Sequence, residues 1–498
     1  MHQVLLGLKW VLVVVVMAGA VPLVAAAYQF LLVAFHFRRN HYGSCAPYFP
    51  RTAILVPAWN EALVIGASID RLMGLDYPPE ALRVYVVDDA STDDTPEVIQ
   101  AKAAQYPGQV FHLRRQKGGE GKAHTLNHGL GIILGDDWMQ ALLIMDADVI
   151  YEPDSLRMMT RHLADPRVGA VTAYIKEGSR PGNYLTRFIG FEYITAQAAA
   201  RRCQNVLGAV ACLAGGAQLH SRANIEAIGG RIDTSSLAED TFTTFRTQMA
   251  GNRVVFEPHA TVWAEEPGDI GGLWKQRLRW ARGNVQVTRQ FARVWCRPSG
   301  VHRLGSLSFS VFWFCLFLLP LVMIAASASL VILYFADFPM AWVTFHVLWI
   351  INALTYAFIT AYVLMIDWQT GRHTWLQGIL LPGVISVAII IAACFPVLLR
   401  LIFHEGLPSA GLVLTHAERS SLVLAAYAWL ALSMVVAYIG KAIEPRRFGR
   451  VLSPVFIYIA GYGPLLCACT FASYVKELRG AEMKWDKTEK TGKVAMPT

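Results

Sequence analysis

Two pairs of acidic residues are spaced so that each pair could act on one ligand. Asp146 and Asp148 follow the apolar run ALLIM, and Glu239 and Asp240 stand side by side in the polar stretch LAEDTF. Hard carboxylate oxygens suit Mg²⁺ or Mn²⁺, which bind through one or two carboxylates together with substrate phosphates. The first pair therefore suggests a divalent-metal site, although an isolated Asp-x-Asp is more often a pair of turn-forming aspartates. By itself, the second pair is better explained by the helix dipole, which favours acids at a helix N-terminus.

A glycine-rich stretch, GGEGKAH, adds a candidate phosphate contact. It places Lys122 near the start of a helical pattern, where its ammonium group and backbone N–H groups could both meet a phosphate. A flexible surface loop explains the same residues equally well. The chain has neither GxxxxGKS/T nor a GxGxxG after its first strand, so the sequence indicates neither a P-loop nor a dinucleotide-binding fingerprint.

The segments that carry these residues alternate between strand-like and helical patterns. Trp59 and Glu61 lie in PAWNE and Asp89 in DDAS, each directly after an apolar run. Such alternation predicts a mostly parallel sheet covered by helices, in which ligands gather at the carboxyl ends of the strands. This position favours the metal interpretation of DAD over a simple turn. The predicted strands are 52–58, 83–89, 110–115, 141–148 and 168–174.

Long apolar stretches indicate that part of the chain lies in lipid. Hydrophobic residues make up 54% of the 498 residues and charged residues only 16%, a composition too apolar for soluble domains alone. Residues 10–35 are long enough to cross a bilayer, which takes roughly 20 apolar residues. The basic run HFRRNH follows them, which argues against a signal peptide and, by the positive-inside rule, places residues from 38 onward in the cytoplasm. Five further candidate spans lie at about 309–335, 340–366, 376–403, 421–440 and 451–475.

The last of these candidate spans decides on which side the C-terminal tail lies. Basic loops after the second and the fourth of the five both favour the cytoplasm. A fifth full span would place the tail WDKTEKTGK outside. We therefore expect the segment interrupted by GYGP at 461–464 to be re-entrant or to lie in the interface.

The stretch WKQRLRW concentrates charge and aromatic rings shortly before the apolar run near residue 309. Residues 273–296 interleave arginines with aromatic and aliphatic residues, as an amphipathic helix in a membrane interface does. Trp274 and Trp295 are expected to anchor this helix in the interface. Arginines close to apolar segments suit a face turned toward anionic cytoplasmic lipid. These are Arg38, Arg39, Arg277, Arg279, Arg282, Arg446, Arg447 and Arg450.

Taken in order, PAWNE, DDAS, DAD, AEDT and QRLRW resemble the motifs of the processive family 2 glycosyltransferases, which include the cellulose, hyaluronan, chitin-oligosaccharide and poly-N-acetylglucosamine synthases. The most specific element is QxxRW, met by Gln276, Arg279 and Trp280. The resemblance covers residues 50–300 and extends to the membrane part only in layout, and GLWKQRLRWARGN is most similar to the poly-N-acetylglucosamine synthase branch. It implies an α/β glycosyltransferase A-type domain, Rossmann-like with a mostly parallel sheet, in the cytoplasm, together with an α-helical multi-pass transmembrane region and interfacial amphipathic helices.

The resemblance also implies a binding role for several residues. Trp59 and Asp89 would hold the uridine end of a nucleotide, and Lys122 would contact the nucleotide. Trp59 replaces the tyrosine that is common in the family, so stacking is kept while a phenolic hydrogen bond is lost. Where relatives show a cysteine and a serine about a glycine, this chain has LAGGAQ, which leaves the acceptor contacts open. The implied binding set is Trp59, Glu61, Asp89, Lys122, Asp146, Gln276, Arg279 and Trp280.

For the reaction, the resemblance implies transfer from a UDP-sugar with inversion. Asp146 and Asp148 would hold Mg²⁺ or Mn²⁺, and the ion with Arg279 would stabilise the charge that grows on the leaving diphosphate. Asp240 is the candidate general base, although Ala238 stands where the family usually has a threonine before this acidic pair. Trp280 would support the terminal sugar of the growing chain.

The product implied is a β-linked polysaccharide of glucose or N-acetylglucosamine, secreted through the membrane part. The expected partners are the UDP-sugar donor, the growing polysaccharide acceptor and membrane lipid, with accessory membrane or regulatory subunits left open and no nucleic acid. Two alternatives remain: a single-transfer, lipid-directed glycosyltransferase, and a transporter with a nucleotide-binding regulatory domain. The predicted domains are an N-terminal transmembrane helix at 1–40, a cytoplasmic glycosyltransferase domain at 41–270, interfacial helices with QxxRW at 271–308, a channel region of four or five spans at 309–475, and a cytoplasmic tail with a candidate gating segment at 476–498.

Overall fold

The computed structural model describes residues 2–39, 45–401, 413–483, 492 and 494. Its contacts divide the chain into two compact units. The apolar-helix unit comprises Met1–Phe30 and Val311–Val475, and the sheet unit comprises Leu31–Ser310 and Lys476–Thr498. Most of the predicted gating segment, namely 484–491, 493 and 495–498, lies outside the described residues.

In the described part of the sheet unit, eight strands form one mixed sheet. They are β1 (Thr52–Ala58), β2 (Leu82–Asp88), β3 (Val110–Arg114), β4 (Ala141–Ile144), β5 (Ile150–Tyr151), β6 (Val168–Glu177), β7 (Gln218–Ser221) and β8 (Arg253–Ala264). Their order is β3-β2-β1-β4-β7-β6-β8-β5. The pairs β1·β2, β1·β4, β2·β3 and β6·β8 are parallel, whereas β7 runs antiparallel to β4 and β6, and β5 to β8.

The bounds of the first three strands agree closely with those predicted from the sequence. β1 has the predicted bounds, and β2 and β3 each differ from theirs by one residue at one or both ends. β4 ends at Ile144, so DAD follows the strand instead of continuing it. Two of the later strands were not predicted: β7, which has only four residues, and β8, which contains Pro258. Because β7 returns antiparallel between β4 and β6, the sheet is more mixed than predicted.

Helices cover both faces of the sheet, and its central strands are therefore buried. Every residue of β1 is buried, as expected for a parallel strand with covered faces. Gly129 lets one helix approach closely, since a Cβ there would lie 2.5 Å from Leu55 and 2.9 Å from Val87. The helices between Ile65 and Gln290 are α3 (Ile65–Met73), α4 (Thr95–Gln105), α5 (Lys122–Ile133), α6 (Ser155–Thr160), α7 (Tyr184–Tyr193), α8 (Ala200–Leu207), α9 (Arg222–Ala227), α10 (Glu239–Met249) and α11 (Ile270–Gln290), after α1 (His2–Ala18) and α2 (Val21–Arg39).

Most of the remaining helices are apolar. They are α12 (Leu307–Phe317), α13 (Leu319–Phe335), α14 (Met340–Ile366), α15 (Trp368–Ile379), α16 (Val384–Cys394), α17 (Pro396–Leu401), α18 (His416–Ile443), α19 (Gly449–Ala460) and α20 (Tyr462–Leu478). Within the described residues, three helical segments are long and apolar enough to cross a membrane: Gln3–His36, which joins α1 and α2, Met340–Ile366 and His416–Ile443. Three bent pairs, α12/α13, α15/α16 and α19/α20, raise the number of candidate spans to at most six.

The helix break predicted at GYGP is present, and two further breaks were not predicted. α19 and α20 meet at 97°, α15 and α16 at 73°, and α12 and α13 at 66°. The first two breaks cross each other: the amide of Gly463 donates to the carbonyl of Leu381 at 3.0 Å. Gly383 and Gly461 both have positive φ, +87° and +105°, and their backbones are in direct contact.

The crossing of these two breaks requires glycine. A Cβ on Gly383 would lie 2.4 Å from the carbonyl carbon of Ala460 and 2.5 Å from the amide nitrogen of Gly461, so backbone would have to move. We expect Gly383→Ala to destabilise the apolar-helix unit by about 1–3 kcal/mol, as overpacking does. Thermal unfolding of the detergent-solubilised protein measures this loss. Gly7→Ala is the control, since nothing lies within 4 Å of its Cβ, and equal melting of the two variants would contradict the crossing.

Candidate active site

One cleft in the sheet unit gathers all the residues that the sequence assigned to the site, except Asp89. The cleft has a cavity volume of about 420 Å³. It opens at the carboxyl ends of β1 and β4 and is completed by α10 and α11. The assigned residues that line it are Trp59, Glu61, Lys122, Asp146, Asp148, Asp240, Gln276, Arg279 and Trp280.

Asp89 is buried beside the cleft and holds the glycine-rich loop. Its carboxylate pairs with Arg115 and accepts a hydrogen bond from the amide of Gly119 at 2.9 Å. Gly118 lies against the Asp89 backbone, since a Cβ there would be 2.0 Å from the Asp89 carbonyl oxygen. Asp89 therefore fixes the loop that leads into α5, and its role toward uridine remains a prediction.

Lys122 begins α5 and lies among the carboxylates. Its Nζ is 2.5 Å from Asp146 Oδ1 and 3.6 Å from Glu239 Oε1, and it donates to the Gly215 carbonyl at 3.2 Å. Burial by itself would lower the pKa of Lys122, but the carboxylates of Asp146 and Glu239 outweigh it and raise the pKa above its usual value. The side chain therefore stays a cation, as a contact to a diphosphate requires.

Glu239 and Asp240 occupy the first turn of α10, where the helix dipole favours acids. Asp240 Oδ1 accepts from the amide of Thr241 at 2.6 Å. Burial raises the pKa of the Glu239 carboxyl, against the opposing effect of the Lys122 ammonium and with a further rise from Asp240. The pair starts a helix, as its position in the sequence predicted, and it also lines the cleft, while the role of Asp240 as a base stays a prediction.

Gly215 lies between the charged groups and leaves room for them. A Cβ on this residue would be 3.1 Å from Lys122 Nζ, 3.5 Å from Asp240 Oδ2 and 3.9 Å from Asp146 Oδ2. The LAGGAQ stretch, whose acceptor contacts the sequence left open, thus supplies the space in which these three side chains converge.

We expect Gly215→Ala to leave the protein folded and to slow its reaction by about tenfold or more, since displacements near 1 Å at a reaction site cost up to about 10²-fold. The methyl group would press on the pinned Lys122 and fill part of the cleft. Steady-state turnover measures the effect. Gly131→Ala in α5 is the control, because its Cβ has nothing within 4 Å. Unchanged turnover of Gly215→Ala would show that the reacting groups do not meet here.

The α11 side chains are held by a network that the sequence did not reveal. Gln276 Nε2 donates to Glu266 at 3.2 Å, and its Oε1 accepts from Arg277. Arg277 pairs with Glu192 at 2.9 Å and stacks on Trp280, with its guanidinium carbon 4.2 Å from the ring centre. Gln276 is therefore used to orient its neighbours, and Arg277 supports the indole ring of Trp280.

Arg279 offers an unsatisfied donor to the cleft. Its Nε is buried and has no hydrogen-bond partner within the described part of the chain. A buried guanidinium N–H without a partner indicates a ligand that accepts from it, because buried donors are otherwise almost always paired. A phosphate oxygen meets this requirement.

Several residues expected at a lipid interface are buried instead. Trp274 and Trp295 are 7% and 9% exposed, and Trp295 donates its indole N–H to the Thr288 carbonyl at 3.0 Å. Arg277 and Arg282 are 6% exposed and form ion pairs with glutamates. These four side chains therefore pack inside the protein and do not face lipid: Trp274, Arg277 and Arg282 on α11 and Trp295 on the segment after it. That the helix itself lies at a membrane interface stays a prediction.

A group of polar residues on the cleft wall was not predicted from the sequence. Glu192, Gln197, Arg201 and Gln204 line the cleft from α7, α8 and the π-helical segment Ile194–Ala199 that joins them. Burial lowers the pKa of Arg201, which lies near Asp240. π-helical turns often occur at functional sites. The signal available in the sequence was the recurrence of polar residues in the otherwise apolar ITAQAAARRCQ.

The donor set of the cleft fits a hard divalent cation. Asp146 and Asp148 follow β4 on one turn and offer only carboxylate oxygens. Across the described ranges, no group of three or more His, Cys, Asp or Glu side chains is arranged to hold a metal. Two carboxylates suffice for Mg²⁺ or Mn²⁺ when phosphates and water complete the shell.

Comparisons with known proteins agree with this geometry. Residues 50–283 match the sequence model of the family described as "Glycosyltransferase like family 2". The probable glycosyltransferase YdaM of Bacillus subtilis (strain 168) is 30% identical over 290 residues, which cover 58% of this chain and 67% of YdaM. The chain belongs to glycosyltransferase family 2. The predicted family is thereby confirmed.

Two other relatives of this family 2 glycosyltransferase differ in their products. The beta-monoglucosyldiacylglycerol synthase of Synechocystis sp. is 32% identical over 259 residues, 52% of each chain. The poly-beta-1,6-N-acetyl-D-glucosamine synthase of Staphylococcus aureus (strain COL) is 29% identical over 234 residues, 47% of this chain and 54% of that enzyme. The chain thus spans about half the length of these two relatives.

A solved structure confirms the fold class. The mannosyltransferase PcManGT from Pyrobaculum calidifontis, in complex with GDP-Man and Mn²⁺, is 23% identical and superposes with a TM-score of 0.50, over 78% of this chain and 99% of that one. The family 2 glycosyltransferase therefore has the predicted A-type fold, with a mixed sheet and additional apolar helices.

Proposed function

We propose that this family 2 glycosyltransferase transfers a hexose or N-acetylhexosamine from a UDP-sugar to a saccharide with inversion, and so extends a β-linked polysaccharide. The observation that carries the proposal is the convergence of Lys122, Asp146 and Asp240 around Gly215, in a cleft that Arg279 and Trp280 also line. The cleft thus combines four kinds of group: cations for a diphosphate, carboxylates for a metal, a base and an aromatic platform.

The nucleotide end of the cleft would bind the donor. Asp146 and Asp148 would hold Mg²⁺ or Mn²⁺, which, when bound, neutralises charge on the leaving diphosphate. Lys122 and the buried Nε of Arg279 would take the phosphate oxygens. Because these donors are already fixed before charge develops, they stabilise the transition state without reorganisation. Trp59 would stack on the uracil.

The acceptor end of the cleft would supply the base. Asp240 would accept the proton of the attacking hydroxyl while the anomeric carbon loses UDP on the opposite face. Direct displacement with one base gives inversion. The diphosphate needs no proton to leave, so a single carboxylate suffices.

Polar residues that line the same cleft as Asp240 favour a saccharide acceptor. Gln197, Arg201 and Gln204 present planar hydrogen-bonding groups, which suit the hydroxyl groups of a sugar. Trp280, supported by Arg277, would offer its ring to the terminal sugar. The second candidate is a single transfer to a lipid, favoured by the 32% identity to the glycolipid synthase of Synechocystis. Membership in family 2 favours either activity over a transporter.

The membrane part completes the proposal. The apolar helices would anchor the protein with its catalytic domain in the cytoplasm, where basic loops follow the candidate spans. The growing chain would leave through this region as it lengthens, and partner subunits would assist its export.

Product analysis tests the two candidates. Full-length protein in lipid nanodiscs is supplied with radiolabelled UDP-N-acetylglucosamine or UDP-glucose and with Mg²⁺ or Mn²⁺, and the product is sized. A polymer sensitive to β-glycosidases is the expected result. A glycolipid with one sugar supports the alternative, and the absence of UDP release from either donor rejects the proposal.

A further inference from the structure

The chain segment that carries Asp240 rests directly on α11. A Cβ on Gly283 of α11 would lie 2.5 Å from the Ala238 Cβ and 2.9 Å from the Ala238 amide nitrogen, so the two backbones are in contact. One turn further along α11, the Gln286 Oε1 accepts from the amide of Leu237 at 2.9 Å. The approach to α10 is therefore positioned by α11, at two successive turns beyond Trp280.

Residues 477–482, called the C-terminal segment below, bind to α11 through Arg282. Arg282 donates from Nε to Glu477 Oε1 at 2.5 Å, from Nη2 to the Ala481 carbonyl at 2.6 Å and from Nη1 to the Glu482 carbonyl at 2.9 Å. Its side chain is 7% exposed and that of Glu477 is 12% exposed. This buried ion pair thus fastens residues 477–482 to the helix that carries the acceptor platform.

Gln286 joins these two sets of contacts. Its Nε2 donates to the same Glu477 oxygen at 3.2 Å while its Oε1 accepts from Leu237. The Gln286 amide therefore accepts a hydrogen bond at its oxygen and donates one from its nitrogen. Because the carboxylate of Glu477 can only accept, it binds the nitrogen and leaves the oxygen facing the Leu237 amide. Without that carboxylate, the amide is free to turn and the Leu237 N–H loses its acceptor.

We propose that Glu477 is a positioning residue for sugar transfer, acting through Gln286 on the segment that holds Asp240; this inference rests on the proposed function. Glu477 lies in the last turns of α20, an apolar helix, so the reaction site depends on a segment that follows the apolar region of the chain. The chain that follows the C-terminal segment reaches the cleft again, because the amide of Gly492 donates to the cleft-lining Glu265 at 3.1 Å.

The test compares three variants of the full-length protein in nanodiscs. Glu477→Ala should lower kcat by about tenfold or more, as small displacements of a reacting group do, while the donor KM and the affinity for UDP stay unchanged. Glu477→Gln should recover most of the rate, because its amide oxygen still accepts from Arg282 and Gln286. Arg479→Ala, which removes an exposed charge of the same segment, should match the wild type.

A fourth variant tests the inference even if Glu477→Ala does not fold. Gln286→Leu removes the link to Leu237 but keeps the Arg282 pair, and it should lower kcat without lowering the melting temperature to that of Glu477→Ala. If Glu477→Ala does not fold, Gln286→Leu decides alone. Wild-type kcat in Gln286→Leu, or an equal loss in Glu477→Gln and Glu477→Ala, overturns the inference. A wild-type protein that releases no UDP from any donor rejects the proposed function instead.

Discussion

Asp240→Asn is expected to slow sugar transfer by about 10² to 10⁴-fold, the usual contribution of a general base. The amide keeps the size of the side chain and its acceptor for the Thr241 amide but cannot take the proton of the acceptor hydroxyl. Affinity for UDP should be unchanged, because Lys122, Asp146 and Arg279 remain.

Two measurements make this prediction specific. UDP release at saturating donor gives the rate, and calorimetric titration with UDP and Mn²⁺ gives the affinity. Asp94→Asn is the matched control, since Asp94 is exposed at the start of α4 and its side chain caps nothing there. An Asp240→Asn enzyme that elongates at the normal rate would show that another group is the base.

Asp148→Asn is expected to weaken the metal-dependent part of UDP binding by at least about tenfold, because loss even of an outer partner of a metal site costs about 10- to 100-fold in metal affinity. Asp148 is a cleaner probe than Asp146, whose Oδ1 lies 2.5 Å from Lys122 Nζ and whose removal would also leave that cation uncompensated.

The measurement is UDP affinity across a series of Mn²⁺ concentrations, with EDTA as the metal-free reference. Wild type and Asp148→Asn should converge in EDTA and separate as Mn²⁺ rises. If the two curves stay parallel throughout, the carboxylate of Asp148 does not hold the ion. Transfer should fall together with the loss of metal-dependent binding.

Much of the nucleotide side of the cleft was predictable from the sequence. The runs TAILVPA and ALLIM are apolar throughout, which is typical of strands buried on both faces, and each is followed by polar residues. Neighbouring parallel strands end at one edge, so Trp59, Glu61, Asp146 and Asp148 had to lie near one another. The sheet confirms the positions of β1 and β4 that this argument used.

The ion pairs of α11 could not be predicted from the sequence, for a physical reason. An amphipathic pattern with arginines predicts one apolar and one charged face, but it does not reveal that partly buried glutamates pair with the arginines. Arg277 pairs with Glu192, 85 residues away, and Arg282 with Glu477, 195 residues away. Local periodicity carries no information about such partners, so the sequence did not reveal these ion pairs.

By itself, the sequence determined which residue types could do the chemistry, the strands that end beside them and the apolar stretches that suit a membrane, because these depend on local composition and period. Only the tertiary structure decided that Asp240 meets Lys122 and Asp146 across Gly215, that Arg277 supports Trp280 and that Glu477 reaches the segment before α10. Those contacts join residues far apart in the chain, and their geometry is set by how the sheet and the helices pack.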